Sequence, residues 1–261
     1  MSYDWKDRIG QDRFSAEWFD EVDRRFIEGS RLFAHEHQPF DRIIPFDALA
    51  GRRVLEIGCG MGFHTELMAR AGAEVTAVDL STTSVEATRK RMAVRGLSAD
   101  VRQEDAEDLP FPAHQFDFVW SWGVIHHSSR TAKIVREIAR VLQPHGECRI
   151  MVYNREGMAA RATLLKDHLL KGGIFRGSFD ETLHHSTDGF SARHYVPDQF
   201  EDLFRAFFRQ VSSSILGQDA DAVPLPRFLR RIVLRMVSDR WLRNRQARCG
   251  SFLFVQATNP F

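Results

Sequence analysis

Arg53-Val54-Leu55-Glu56-Ile57-Gly58-Cys59-Gly60-Met61-Gly62-Phe63-His64-Thr65 is the stretch that decides the fold. A short apolar strand ends in Glu56, the chain turns through three glycines at alternate positions, and a helix over 65–71 follows. Glycine is needed in such a turn because a side chain would hold a bound molecule off the backbone and would resist positive φ. A second strand over 75–78 closes on Asp79, 17 residues after Gly62. An acidic residue about 20 positions past a glycine turn is placed to accept hydrogen bonds from a ribose. The run therefore predicts a nucleoside-containing cofactor.

The glycine spacing narrows the choice. A dinucleotide fingerprint reads Gly-x-Gly-x-x-Gly, with its third glycine where helix packs on strand. Phe63 stands at that place, and Gly62 comes one residue early. No Gly-x-x-x-x-Gly-Lys-Ser/Thr loop is present to cradle a pyrophosphate. What remains resembles the acidic-x-Gly-x-Gly-x-Gly signature of class I S-adenosylmethionine-dependent methyltransferases, whose cofactor carries no phosphate.

Further segments resemble the same family in the same order. They are Glu74-Val75-Thr76-Ala77-Val78-Asp79-Leu80-Ser81, the run 101–111 with Asp105 and Ala106, Phe116-Asp117-Phe118-Val119-Trp120-Ser121-Trp122, and Arg140-Val141-Leu142-Gln143-Pro144-His145-Gly146 before a fifth strand. The run 250–258 looks like the family's last, antiparallel strand. The resemblance implies an α/β fold: a Rossmann-like, seven-stranded, mostly parallel sheet with an antiparallel last strand and helices on both faces. It implies S-adenosyl-L-methionine as cofactor and S-adenosyl-L-homocysteine as product. The cofactor set it implies is Glu56, Gly58, Cys59, Gly60 and Gly62 in the turn, Asp79 with Leu80 at the ribose, Asp105 with Ala106 at the adenine, and Trp120 with Ser121 at the fourth strand's end.

Around this centre the chain divides into a helical cap over 1–48 and a methyltransferase domain over 49–261. Phe14, Trp18, Val22 and Phe26 recur every four residues and predict a helix over 13–37, capped by Ser15 or Asp12. Between 51 and 154 strand and helix alternate five times, the pattern of a parallel sheet. Its ligands bind beyond the carboxyl ends of the strands, where Glu56, Asp79, Asp105 and Trp120 are expected to converge. The pattern breaks at 155–196, a segment too long for a plain connection, and again at 217–248. Between Pro226 and Arg248 lie eight arginines and one aspartate, interleaved with apolar residues at helical spacing. A solvated helix face explains that pattern, and so does a site for an anionic substrate, carrier or lipid headgroup, which makes peripheral membrane contact a candidate role for 226–248.

The totals exclude other classes. The 261 residues carry 36 basic and 35 acidic side chains, so no overall field favours nucleic acid. Cys59, Cys148 and Cys249 are too far apart for a disulfide framework or a zinc spacing. No apolar run approaches the length of a membrane span and no signal-peptide plan opens the chain, so the sequence reads as soluble and cytoplasmic.

Methyl transfer to a hydroxyl or amine needs a base. His126 and His127 follow the fourth strand directly, and His127 is the favoured candidate; His184 and His185 form a second pair. A metal site from these pairs is not expected, because adjacent histidines point apart and no carboxylate spacing completes it. Trp122, His184, Arg193 and Tyr195 are candidate substrate contacts. The fourth strand lacks the Asn/Asp-Pro-Pro-Tyr run of nucleic-acid amino-methyltransferases, so a small or carrier-linked acceptor is expected, with O-methylation favoured. The rival readings are a non-catalytic S-adenosylmethionine-binding domain and a nicotinamide-dependent oxidoreductase, the latter opposed by Phe63.

Overall fold

Strand and helix alternate through the first half of the computed structural model, which describes residues 9–34, 38–175, 177–185 and 192–261. The elements run α1 (Ala16–Ser30), β1 (Arg53–Ile57), α2 (Phe63–Arg70), β2 (Glu74–Asp79), α3 (Thr82–Arg95), β3 (Asp100–Gln103), β4 (Phe116–Trp122), α4 (Thr131–Val141) and β5 (Leu142–Asn154). After β5 come α5 (Met158–Thr163), a π-helical stretch Leu164–Leu170, α6 (Phe179–His185), β6 (His194–Tyr195), α7 (Pro197–Arg205) and β7 (Phe208–Leu216). The chain ends with α8 (Asp219–Ala222), α9 (Arg227–Leu234), α10 (Asp239–Cys249) and β8 (Phe252–Pro260).

The strands form one sheet in the order β3-β2-β1-β4-β5-β8-β7, with β6 paired to the end of β5. β1 pairs in parallel with β2 on one side and β4 on the other, so the order reverses between β1 and β4. A crevice opens at such a reversal, beyond the carboxyl ends of the strands. β8 runs antiparallel to both β5 and β7. Val54, Leu55 and Ile57 are almost wholly buried because helices cover both faces. One face packs Ile134, Val135 and Ile138 of α4 and Phe200 and Phe204 of α7; the other packs Phe26, Phe33, Phe40, Phe63 and Met68.

Several boundaries differ from the sequence expectation. The helix expected over 13–37 is α1 followed by a short 3-10 turn, Arg31–Phe33; Phe14 sits at φ 69 and Ser15, whose hydroxyl accepts from the Trp18 N–H at 3.1 Å, starts the helix. Among the described residues eight strands stand where seven were expected, because His194 and Tyr195 pair with Tyr153 and Asn154. The run 140–146 lies partly inside β5 rather than ahead of it. Pairing with β4 jumps from Leu142 to Glu147, since Pro144 has no N–H for the ladder. The basic stretch is two helices, broken where the Ser238 hydroxyl caps α10 by accepting from Trp241 N at 3.3 Å.

Candidate functional site

The turn after β1 is built on backbone that side chains resist. Gly58 has φ 83, and a Cβ there would lie 2.1 Å from a methyl of Val124, so nothing larger fits. Gly60 has φ 55 and a Cβ there would meet nothing within 4 Å, so this glycine presents bare backbone to open space. Val78 at the end of β2 fastens the turn, its carbonyl accepting from Gly58 N at 2.7 Å and Cys59 N at 3.1 Å. Gly62 ends the turn as the N-cap of α2.

Asp79, at the tip of β2, accepts from Gly60 N at 3.0 Å and from Ser81 N at 2.9 Å. Beside it Leu80 is 71% exposed, an apolar surface next to a carboxylate. Glu104 N donates to the Asp79 carbonyl at 3.2 Å, which brings the exposed Asp105 and the half-buried Ala106 to the same edge. Asp105 accepts from Glu107 N at 2.8 Å. Gly58, Gly60, Gly62, Asp79, Leu80, Asp105 and Ala106 thus gather at the carboxyl ends of β1, β2 and β3. An open glycine cradle flanked by two carboxylates and one exposed apolar side chain suits a phosphate-free nucleoside with a charged tail.

Four of the expected cofactor side chains do not reach that open edge. Glu56 is buried beneath the turn, where the Thr65 hydroxyl donates to it at 2.5 Å and His64 Nδ1 lies 3.7 Å away. Burial pushes its carboxyl up to about 8. Glu56 therefore supports the turn from below. Trp120 is fully buried and stacks on Trp122, ring centroids 5.7 Å apart. Ser121 is fully buried with its hydroxyl donated to the Ile57 carbonyl at 2.9 Å. Strand alternation places 120 and 121 on opposite faces, and both faces are covered. Cys59 is also buried, accepting from the Thr88 hydroxyl at 3.4 Å, and burial pushes its thiol up.

His64 was not anticipated. Its ring sits among Phe40, Trp120, Phe63 and Phe26 at centroid distances of 4.6, 5.3, 5.5 and 5.6 Å. Burial, with Arg91 adding to it, lowers its pKa to about 3, so the imidazole is neutral. The signal was its i, i+4 spacing to Met68, which places both on the sheet-facing side of α2.

Past β4 a second polar group assembles. His126 is fully buried and neither ring nitrogen has a hydrogen-bond partner among the described residues, whereas His127 is exposed. The rings are 4.3 Å apart, and Tyr153 of β5 lies 4.2 Å from His126. Burial, then the neighbouring His127 and His194, lowers the His126 pKa. His194 lies 5.3 Å from Tyr153, and burial lowers it to about 4. Tyr153 and His194 were missed because β6 pairs across 41 residues of chain, which local spacing does not reveal. Arg193 N donates to the His126 carbonyl at 2.9 Å, so the insertion returns beside this group, while the Arg193 side chain is exposed. Tyr195 points elsewhere: its hydroxyl donates to Thr131 of α4 at 2.8 Å and its ring packs on Phe200, a structural role on the opposite face. Trp122 is half-buried between Phe33, Phe40 and Phe252. His184 is half-buried in α6; the His185 side chain and residues 186–191 lie outside the described residues.

Comparison with known proteins bears on the family and the fold. A family profile described as a methyltransferase domain matches residues 55–150. The ubiquinone biosynthesis O-methyltransferase of Methylocella silvestris is 32% identical over 183 residues, covering 67% of this chain and 71% of that one. The enzyme of the same description from Stutzerimonas stutzeri is 31% identical over 134 residues, and the match spans 51% of this chain and 58% of its length. Among solved structures, a SAM-dependent methyltransferase from Aquifex aeolicus superposes with a TM-score of 0.55 over 90% of this chain and 96% of its own, at 16% identity, a likeness of fold.

Proposed function

Because the chain belongs to the class I S-adenosylmethionine-dependent methyltransferases, we propose that it methylates a hydroxyl oxygen of a small-molecule acceptor at the carboxyl edge of its sheet. S-adenosyl-L-methionine is the methyl donor and S-adenosyl-L-homocysteine the product. The backbone of Gly58, Gly60 and Gly62, the Asp79 carboxylate, and Asp105 with Ala106 would hold the donor, with Leu80 against its base. When bound, the donor supplies an electrophilic methyl group with a neutral thioether as leaving group.

This chain's own residues then position the acceptor and move one proton. Aligning the acceptor oxygen about 3 Å from the methyl carbon is worth up to roughly 7–11 kcal/mol. The oxygen must also lose its proton, and His127 is assigned that task. An imidazole nitrogen takes the proton as the oxygen–carbon bond forms and, being exposed, returns it to solvent. The His126 ring, itself backed by Tyr153, packs against the His127 ring. The observation that carries this reading is the split in the pair after β4, one imidazole buried and neutral and its neighbour open to solvent. The O-methyltransferases among its relatives support oxygen over nitrogen or carbon. In the same reading residues 1–48 cap the cleft of the 49–261 domain, and the insertions at 155–196 and 217–248 supply acceptor contacts, with Trp122, His184 and Arg193 as candidates.

The test is product analysis. The protein is incubated with methyl-labelled donor and a panel of phenols, alcohols, carboxylates and amines, and the labelled atom is located by mass spectrometry. Label on oxygen is expected, and His127→Ala should lower kcat about 10²–10⁴-fold with donor affinity by calorimetry unchanged. Label on nitrogen or carbon alone, or full turnover in His127→Ala, sinks the assignment.

A further inference from the structure

Both interruptions of the fold leave the sheet at the same edge. β5 ends at Asn154, and β7, which like β5 runs antiparallel to β8, ends at Leu216. Because β5 is parallel to β4, and β4 to β1, that edge is also the one with the glycine turn.

Each interruption exposes large apolar side chains. The first presents Leu165 (57% exposed), Leu170 (77%), Ile174 (53%) and Phe175 (92%). The second presents Phe228 (68%), Ile232 (56%), Met236 (81%) and Trp241 (44%), and α9 has no buried residue. Of the 14 exposed large apolar residues among those described, 11 lie in these two segments, so the exposure is concentrated rather than scattered.

Beside the second segment the charge is predominantly positive. Residues 226–248 carry eight arginines against Asp239, and Asp239 is already bonded to Arg31 at 2.8 Å. Among the described residues Arg231, Arg235, Arg240 and Arg243 have no carboxylate within ion-pair distance. In the first segment Lys166 adds positive charge, whereas Lys171 is paired with Asp167 at 2.7 Å.

We propose that these two segments form a docking face for an anionic lipid surface, with the apolar side chains entering the headgroup boundary and the arginines meeting lipid phosphates. A second copy of this chain is the poorer occupant, since a twofold contact would set arginine against arginine. Nucleic acid would use the arginines but leave the apolar side chains in water. No helix among the described residues is long and apolar enough to cross a membrane, so the contact is peripheral.

The experiment is sedimentation of the full chain with vesicles of phosphatidylcholine and phosphatidylglycerol in equal parts, and with phosphatidylcholine alone. Binding to the mixed vesicles is expected to be at least about tenfold tighter than to the neutral ones and to weaken as salt rises. Arg231→Gln with Arg235→Gln, and separately Phe228→Ser with Ile232→Ser, should each lower it about tenfold or more, with the thermal shift on adding S-adenosylmethionine showing that both variants remain folded. Equal binding to both vesicle types overturns the proposal, as does no binding to either. Loss of a wild-type dimer in the Phe228→Ser/Ile232→Ser variant without loss of vesicle binding does so too, as does tight RNA binding that survives that variant while vesicle binding is absent.

Discussion

Gly58 and Gly60 stand two residues apart in one turn, both with positive φ, yet they face different surroundings. At Gly58 an added methyl group collides with Val124, so Gly58→Ala should cost stability: about 1–2 kcal/mol for the left-handed backbone and about 1–3 kcal/mol for overpacking. At Gly60 only the backbone cost applies, and the added methyl group would occupy the open space where the proposed donor would meet the turn. Gly60→Ala should therefore stay within about 2 kcal/mol of wild type in urea unfolding while losing most of its S-adenosylmethionine affinity by calorimetry. The opposite pattern, a folded tight binder at position 60 or an unperturbed protein at 58, would contradict the division of roles.

Glu56 and His64 form a buried pair in which each group is held neutral. Glu56 has a folded pKa of about 8 against 4.5 in the unfolded chain, so its contribution is present below pH 4.5 and is lost as pH rises toward 8. His64 is lowered from 6.5 to about 3, so its contribution is present above pH 6.5 and is lost as pH falls toward 3. Glu56→Gln keeps the hydrogen bond from Thr65 and removes only the first slope. The melting temperature of this variant relative to wild type should rise steadily as pH goes from about 5 to about 8. A difference that does not vary with pH would show Glu56 to be ionised in the folded protein.

At the scale of elements, α1 is a strut tied along its middle and just beyond its C-terminus. Asp23 bonds Arg91 of α3 at 2.5 and 2.9 Å and Asp20 bonds Arg95 at 2.5 Å, while beyond the far end Arg31 bonds Asp219 and Asp239. Arg91 is 1% exposed and also donates to Glu66 at 2.6 Å and to the Met61 carbonyl at 3.4 Å, which connects the strut to the glycine turn. Burial raises Asp23 even beside Arg91; at Glu66 burial is outweighed by Arg91, Arg70 and Arg95, which hold its carboxyl low, so Glu66 is the firmer partner. Removing one member of such a network strands the others, at a cost of about 3–5 kcal/mol. Arg91→Met should lower stability by that amount and speed amide exchange along α1, and protection of α1 at the wild-type level would show that its apolar face alone holds it. The four-residue spacing of Phe14, Trp18, Val22 and Phe26 revealed this helix, but not its charge ties, because Arg91 is 68 residues from Asp23.

Across the whole molecule, sheet order turns local motifs into one functional edge. Reversal between β1 and β4 sets the glycine turn, Asp79 and Asp105 on one side and the group around His126 and His127 on the other, with the two insertions leaving from the same rim. By itself the sequence determined the parallel core, the glycine turn and the acidic residue at the second strand's tip, because glycine at positive φ and a carboxylate ending a strand are short-range requirements that a few neighbouring residues express. Only the tertiary structure decided depth. It drew Glu56, Trp120 and Ser121 inward, exposed Leu80, and set His194 and Tyr153 beside His126. Burial depends on which distant segment covers a given face, and those contacts join residues tens of positions apart.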